Sequence, residues 1–303
     1  MYLHKENREL FHDMVTLVSE RTGVAADIVE KDYYVTMILR ILSTAKYTVV
    51  FKGGTSLSKA FGVIDRFSED IDITFMEYLG DKRRKRLKYE ILKPISEELG
   101  LEIRNWDHIQ SDRDYNHYDY YYDSVLDSSL GGLPPFVKLE TALMSYAFPT
   151  VEREIGNYMY QALAEEEPEL LENYGLIPFK MKVQALERTM IDKVFALCDY
   201  YMQDKASRNS RHLYDIYKLS RYVDKDAAFK KLVSDVRAHR CTMDARIAPA
   251  ARADVDLQEI IRKMCEEDFY KQDYADTTVR LISDTLDYET VKRFYLEFTE
   301  DLF

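Results

Sequence analysis

A β-branched run that ends on two glycines constrains this chain more than any other feature. Tyr47-Thr48-Val49-Val50-Phe51 has the composition of a buried strand and leads directly into Lys52-Gly53-Gly54-Thr55-Ser56. Without side chains, Gly53 and Gly54 let the backbone fold tightly and approach a ligand. Leu57 to Phe61 then reads as a short helix, so Thr55 and Ser56 place hydroxyls and amides at a helix start, where phosphate oxygens are readily accommodated. A second strand follows over Ile71 to Phe75, with Ile71, Ile73 and Phe75 alternating against Asp72 and Thr74. Asp70 and Asp72 are two residues apart, and on a strand both side chains leave the same face. Such carboxylates repel one another unless a cation intervenes, and hard oxygen ligands suit Mg²⁺. Each motif alone is weakly specific. Together, each with strand character, they describe a phosphate cradle and a carboxylate pair able to hold a metal-bound nucleoside triphosphate. The Gly-x-x-x-x-Gly-Lys-Ser/Thr spacing of a P-loop is absent, as is Gly-x-Gly-x-x-Gly.

Around this centre the apolar spacing predicts helices over Glu9 to Glu20 and Ala26 to Leu42, separated by Thr22-Gly23. A further helix is predicted over Lys82 to Gly100, with Gly100 as its C-terminal cap. Leu101 to Trp106, Tyr118 to Val125 and Phe136 to Met144 read as strands, the last entered through Pro134-Pro135. After about residue 155 the composition changes. A long helix begins near Val183, with Leu186, Met190, Val194, Leu197 and Tyr201 on one face, and the remainder reads as helical. The order of elements predicts an α+β chain with a mixed sheet over residues 1–180 and an all-helical domain over residues 181–303.

Bulk properties narrow the function. Lys plus Arg number 42 and Asp plus Glu 54, so the net charge is 42 − 54 = −12, which argues against coating nucleic acid through bulk charge. Local basic spots remain: Lys82 to Lys88, and Lys205, Arg208 and Arg211. Each is either a solvated helix face or a guide for a polyanion. The tyrosines at Tyr118 to Tyr122 and Tyr200-Tyr201 either pack half-buried or stack on bases. Cys198, Cys241 and Cys265 show neither disulfide nor zinc spacing. No stretch reaches the roughly 18 to 20 apolar residues needed to span a bilayer, and the charged N-terminus lacks a signal segment. A cytoplasmic protein is the expectation.

At Lys52 to Leu57 and Arg66 to Asp72 the sequence resembles the AbiEii/AbiGii-type nucleotidyltransferase toxins of type IV toxin–antitoxin and abortive-infection systems. Their hallmark is Lys-Gly-Gly-Thr-x-Leu, then Arg-x-Ser-x-Asp-Ile-Asp. Ile191-Asp192-Lys193-Val194-Phe195-Ala196-Leu197 and the stretch from Arg208 through Tyr214-Asp215-Ile216-Tyr217 match the later motifs. His212-Leu213 stands where the family often has Lys-Asp. The likeness runs over about residues 50 to 220, and the remainder shows nothing recognisable.

The resemblance implies a polymerase-β-like nucleotidyltransferase core with an all-helical C-terminal part. It also implies a nucleoside triphosphate substrate, Mg²⁺ on Asp70 and Asp72, and a protein antitoxin. Gly53, Gly54, Thr55, Ser56 and Arg66 would meet the triphosphate, with Lys52 assisting or packing near the turn. Lys193 would contact phosphate. Asp215 would hold Lys193 or serve near the nucleophile, and Glu140, on a neighbouring strand, is the candidate third acid. His212 is a packed or surface histidine, or a base. The implied acceptor is RNA, a tRNA 3′ end first. The alternatives are a small molecule or protein acceptor, or a nucleotide-binding partner protein without catalysis.

Overall fold

The computed structural model describes residues 1–66, 68–127, 132–143 and 146–303. The chain forms two compact units: Met1–Phe61 with Ser68–Val183, and Gly62–Phe67 with Gln184–Phe303. The described sheet has seven strands, β1 (Val49–Lys52), β2 (Ile71–Phe75), β3 (Glu102–Ile103), β4 (Tyr115–Tyr121), β5 (Phe136–Ala142), β6 (Thr150–Ile155) and β7 (Phe179–Gln184). Their order is β3-β4-β5-β2-β1-β7-β6. β1 runs antiparallel to β2 and parallel to β7, while β2 is parallel to β5, so the sheet is mixed as predicted.

Pleating decides which residues reach the site. Phe51, Ile71, Ile73, Phe75, Val137, Leu139, Tyr118 and Tyr120 alternate onto one face and are buried. At roughly 1.5–3 kcal/mol for each large apolar side chain, this face fixes the register. A slip of one residue would bury Asp72 in place of Ile73. In the first tyrosine cluster Tyr118, Tyr120 and Tyr122 are buried packing residues, while Tyr121, on the other face, is half-buried against Phe136.

The N-terminal helices form over Arg8–Thr22 and Ala26–Ser43, divided by Gly23 in the left-handed conformation. The helix predicted over residues 82–100 spans Asp81–Leu99 and contains a π-helical stretch at Leu87–Leu92. Pro94 follows that stretch; lacking an N–H, it cannot bond the Glu90 carbonyl, and the wider turn accommodates the missing rung. Gly100, at φ +65°, ends the helix as predicted, and the Leu101 amide donates to the Ser96 carbonyl at 2.8 Å.

Several strand boundaries differ from the sequence reading. β3 stops at Ile103 because the Asn105 side chain takes over the ladder, donating to His117 O at 2.9 Å and accepting from Asp119 N at 3.0 Å. β4 starts at Tyr115 rather than Tyr118, and ends before Ser124 and Val125, which are drawn instead onto Glu30. Met144, the predicted end of β5, lies outside the described residues. β6 and β7 were not predicted, and the helix expected near Val183 starts at Leu186.

The second unit contains helices Leu186–Met202, Arg211–Leu219, Ala227–Cys241, Leu257–Glu266 and Tyr288–Thr299. Gly62–Phe67 is stitched into it from far upstream. Arg66 bridges antiparallel to Ile282, and Ser283 donates from N and Oγ to the Asp65 carbonyl at 3.1 and 2.8 Å. The three cysteines are free thiols. No helix among the described residues is long and apolar enough to cross a membrane.

Candidate active site

The polar face of the sheet carries a row of chemistry-bearing residues. Lys52 on β1 pairs in register with Asp72 on β2, Asp72 with Glu140 on β5, and Glu140 with His117 on β4. Because paired positions share a face, these four side chains emerge side by side. Asp70 lies one residue before β2, so only Asp72 of the pair is a strand residue.

Gly53 stands at φ +79° where β1 meets the helix Gly53–Lys59. A Cβ there would come within 2.7 Å of the Asp72 Cγ, so only glycine lets the carboxylate lie against the turn. The helix begins at Gly53 rather than Leu57, which turns Thr55 and Ser56 inward; both are buried. Ser56 Oγ donates to Gly53 O at 2.9 Å, and Thr55 Oγ1 lies 2.9 Å from Ser68 Oγ. Those hydroxyls therefore shape the turn and tie it to the carboxylate-bearing motif. Gly54 is half-buried beside them.

Electrostatics mark Asp72. Burial first, and then the Glu140 carboxylate, push its carboxyl up from 3.8 to about 7; Asp70 adds to the rise, and Lys52 opposes it. Tyr115, half exposed, has its phenol raised by burial and by Glu140, and more weakly by Asp72 and Asp70. Tyr115 and His117 escaped the sequence reading. The two-residue alternation of β4 would have placed them on this face had the strand been started at Tyr115. Among the described residues, no group of three or more His, Cys, Asp and Glu side chains is gathered as a complete metal cage. Mg²⁺ seldom needs one, since it commonly binds through one or two carboxylates together with water and substrate phosphates. Mutually repelling, desolvated carboxylates fit such a cation.

Arg66, Lys193 and Asp215 come together in the second unit. Arg66 forks onto Asp215, Nε to Oδ1 at 2.6 Å and one terminal nitrogen to Oδ2 at 2.7 Å, and Lys193 Nζ donates to Oδ2 at 2.7 Å. Asp215 is fully buried. Burial alone would raise its carboxyl, but Arg66 and Lys193 hold it well below the usual carboxylate range. Burial lowers Lys193 despite Asp215, and lowers His212 strongly, with Lys193 and Arg211 adding to the effect. His212 Nδ1 sits 3.5 Å from Lys193 Nζ, and its ring is stacked parallel to Tyr200.

The basic run Lys82 to Lys88 is divided by its helical period. Arg84 and Lys88 point inward: Arg84 Nε donates to Leu79 O at 2.6 Å and pairs with Asp114 at 2.7 Å, and Lys88 Nζ donates to Ile109 O at 2.6 Å. Lys82, Arg83, Lys85 and Arg86 remain exposed. In the second unit Arg208, at φ +64°, and Ser210 donate their amides to Asp273, which shapes the loop carrying the other basic spot.

Among solved structures, the chain is similar to the nucleotidyltransferase toxin MenT4 from Mycobacterium tuberculosis, with 19% identity and a TM-score of 0.59 over 95% of this chain and 89% of that one. That likeness supports the α+β nucleotidyltransferase fold. No curated protein matches the sequence. The family model for the nucleotidyl transferase AbiEii toxin of type IV toxin–antitoxin systems matches residues 38–297, reaching through the C-terminal helices where the sequence alone showed nothing recognisable. With that match spanning most of its length, and with the fold to agree, this chain belongs to the AbiEii nucleotidyltransferase family.

Proposed function

We propose that the chain transfers a nucleotide from a nucleoside triphosphate to a hydroxyl of RNA, a tRNA 3′ end first, as the toxin of a type IV toxin–antitoxin pair acting in the cytoplasm. One observation carries the reading: Asp72 lies against the Gly53 turn and in register with Glu140, and burial first, then Glu140, push its carboxyl up. Asp70 and Asp72 would hold Mg²⁺, which supplies charge neutralisation for the polyphosphate when bound. The acceptor oxygen bonds to the α-phosphorus as the bond to pyrophosphate breaks, and Glu140 takes the hydroxyl proton. The Gly53-Gly54 turn, shaped by Thr55 and Ser56, admits the phosphates. Lys52, beside that turn, offsets their charge, and within the second unit Asp215 orients both Arg66 and Lys193.

The family's type IV toxin–antitoxin description supports a protein antitoxin, and MenT4 is itself described as a nucleotidyltransferase toxin. The exposed Lys82, Arg83, Lys85 and Arg86 support a polyanionic acceptor. The net charge of −12 favours instead a cationic small acceptor. Transfer of labelled nucleotide to an RNA pool and to small hydroxylated cations decides between them. RNA binding should weaken steeply with salt, and removing Lys82, Lys85 and Arg86 should flatten the slope by about 2 to 3. Asp70→Ala with Asp72→Ala should abolish transfer; label moved at the parent rate would overturn the site.

A further inference from the structure

Helix Ala26–Ser43 buries charge that the proposed chemistry does not use. Glu30 and Lys31 are 1% and 2% exposed, although an ordinary helix would leave such residues in water. Glu30 accepts from Ser124 Oγ at 2.6 Å and Val125 N at 2.8 Å. Lys31 Nζ donates to Glu69, and Asp32 accepts from Lys59 Nζ and from Tyr158 N at 3.1 Å. Taking charges out of water costs several kcal/mol for each ion, so these pairs are a poor route to stability alone.

Their partners occupy particular places. Lys59 ends the helix that starts at the Gly53 turn, and Glu69 is the residue before Asp70. Residues 60–68 lie between them, and most of that excursion belongs to the second unit. Two consecutive residues of one helix thus grip the chain where it leaves the first unit and where it returns. The Thr55–Ser68 contact holds the backbone one residue before Glu69, and Lys31 adds a second anchor at Glu69, next to Asp70. Lys31 also lies 5.5 Å from the ring centre of Phe136, the first residue of the strand bearing Glu140. Both gripping residues precede residue 38, where the family match begins.

We propose that Lys31 and Asp32 are positioning residues, and that Lys31, through Glu69, sets the place of the Asp70 carboxylate beside Asp72. This rests on the reading of Asp70 and Asp72 as Mg²⁺ ligands. The full chain is compared as Lys31→Met, Glu69→Gln, the double variant and Lys31→Arg. Nucleotide transfer, urea unfolding, and the rise in thermal midpoint with added Mg²⁺ are measured for each. Removing a direct partner of a metal ligand typically costs 10–100-fold; Lys31 and Glu69 act one residue away from Asp70, so kcat and Mg²⁺ affinity should fall by about tenfold, the lower end, in both single variants. The double variant buries no unpaired charge and should regain the parent's urea midpoint, while kcat and Mg²⁺ affinity stay low. Lys31→Arg keeps the cation and should restore both.

A double variant that transfers nucleotide and binds Mg²⁺ like the parent would overturn the positioning role. So would rates that follow the folded fraction in every variant. A parent chain that shows no Mg²⁺ effect on transfer or thermal midpoint would overturn the metal site itself, and the positioning role with it.

Discussion

Replacing Asp72 by asparagine should separate the stability of the fold from its chemistry. Burial and then Glu140 push the Asp72 carboxyl up from 3.8 to about 7. Between those values the folded chain keeps a proton that the unfolded chain has released, so stability falls as pH rises through that window. The gap, 7 − 3.8, is about three pH units, and at about 1.4 kcal/mol each the ceiling is near 4 kcal/mol. Solvent screening of this half-buried group and the loss of its hydrogen bond to Glu140 reduce the expected gain to about 1–2 kcal/mol. Asparagine fills the same space against Gly53 without the charge. At pH 8, with divalent cations chelated, Asp72→Asn should therefore be the more stable protein by that amount. At roughly 2–4 °C for each kcal/mol, its calorimetric midpoint should rise by about 2–8 °C. At pH 5, inside that window, the margin should be smaller but still present, and the two midpoints should converge only below about pH 3.8, where folded and unfolded chains both hold the proton. Excess Mg²⁺ should reverse the order by stabilising the parent alone, and the variant should not transfer nucleotide. An Asp72→Asn midpoint that stays below the parent's by the same margin at both pH values would refute the reasoning.

Asp215→Asn should destabilise the chain by about 3–5 kcal/mol in urea unfolding, since it leaves the buried Arg66 and Lys193 facing a neutral amide. A loss below about 1 kcal/mol would show that the pair is solvated rather than enclosed. Because the Asp215 carboxyl is held well below its usual range, its stabilisation should persist at neutral pH and be lost only in strong acid. Gly53→Ala should cost about 1–3 kcal/mol for the positive φ, and further for displacing the Asp72 carboxylate. Transfer activity should fall with it, and a fully active Gly53→Ala would show that the close approach is dispensable.

What the sequence made legible follows from how directly each pattern reports burial. Ile71, Ile73 and Phe75 are core residues at a strand period, and β2 has the predicted bounds. β4 was started too late because Tyr115 and His117 lie on its exposed positions, where aromatic content gives no alternation. β6 was missed because its Glu-Arg-Glu centre is exposed, as suits the outermost strand of the sheet. In β7, Met181 and Val183 alternate with Lys180 and Lys182, but the pattern is short and runs into the next helix. Nothing in the sequence marks Glu30, Lys31, Arg84 and Lys88 as buried, since a charge satisfied by distant backbone or by a partner far along the chain leaves no local trace. The Gly53 and Asp72 positions were legible for the opposite reason. A glycine pair and spaced aspartates are costly in regular strands, so their presence beside strong strand formers points to a requirement other than folding.

The threading of Gly62–Phe67 into the C-terminal helices bears on how this protein can be divided. A fragment cut at the start of Gln184 would keep Asp215 and Lys193 but forfeit the Arg66 guanidinium, the strand partner of Ile282 and the carbonyl that receives Ser283. The complementary fragment would retain those groups with nothing to receive them. Neither half is self-sufficient, so maturation of the C-terminal helices during synthesis depends on a peptide made more than a hundred residues earlier, and co-expressed halves should need each other to resist proteolysis.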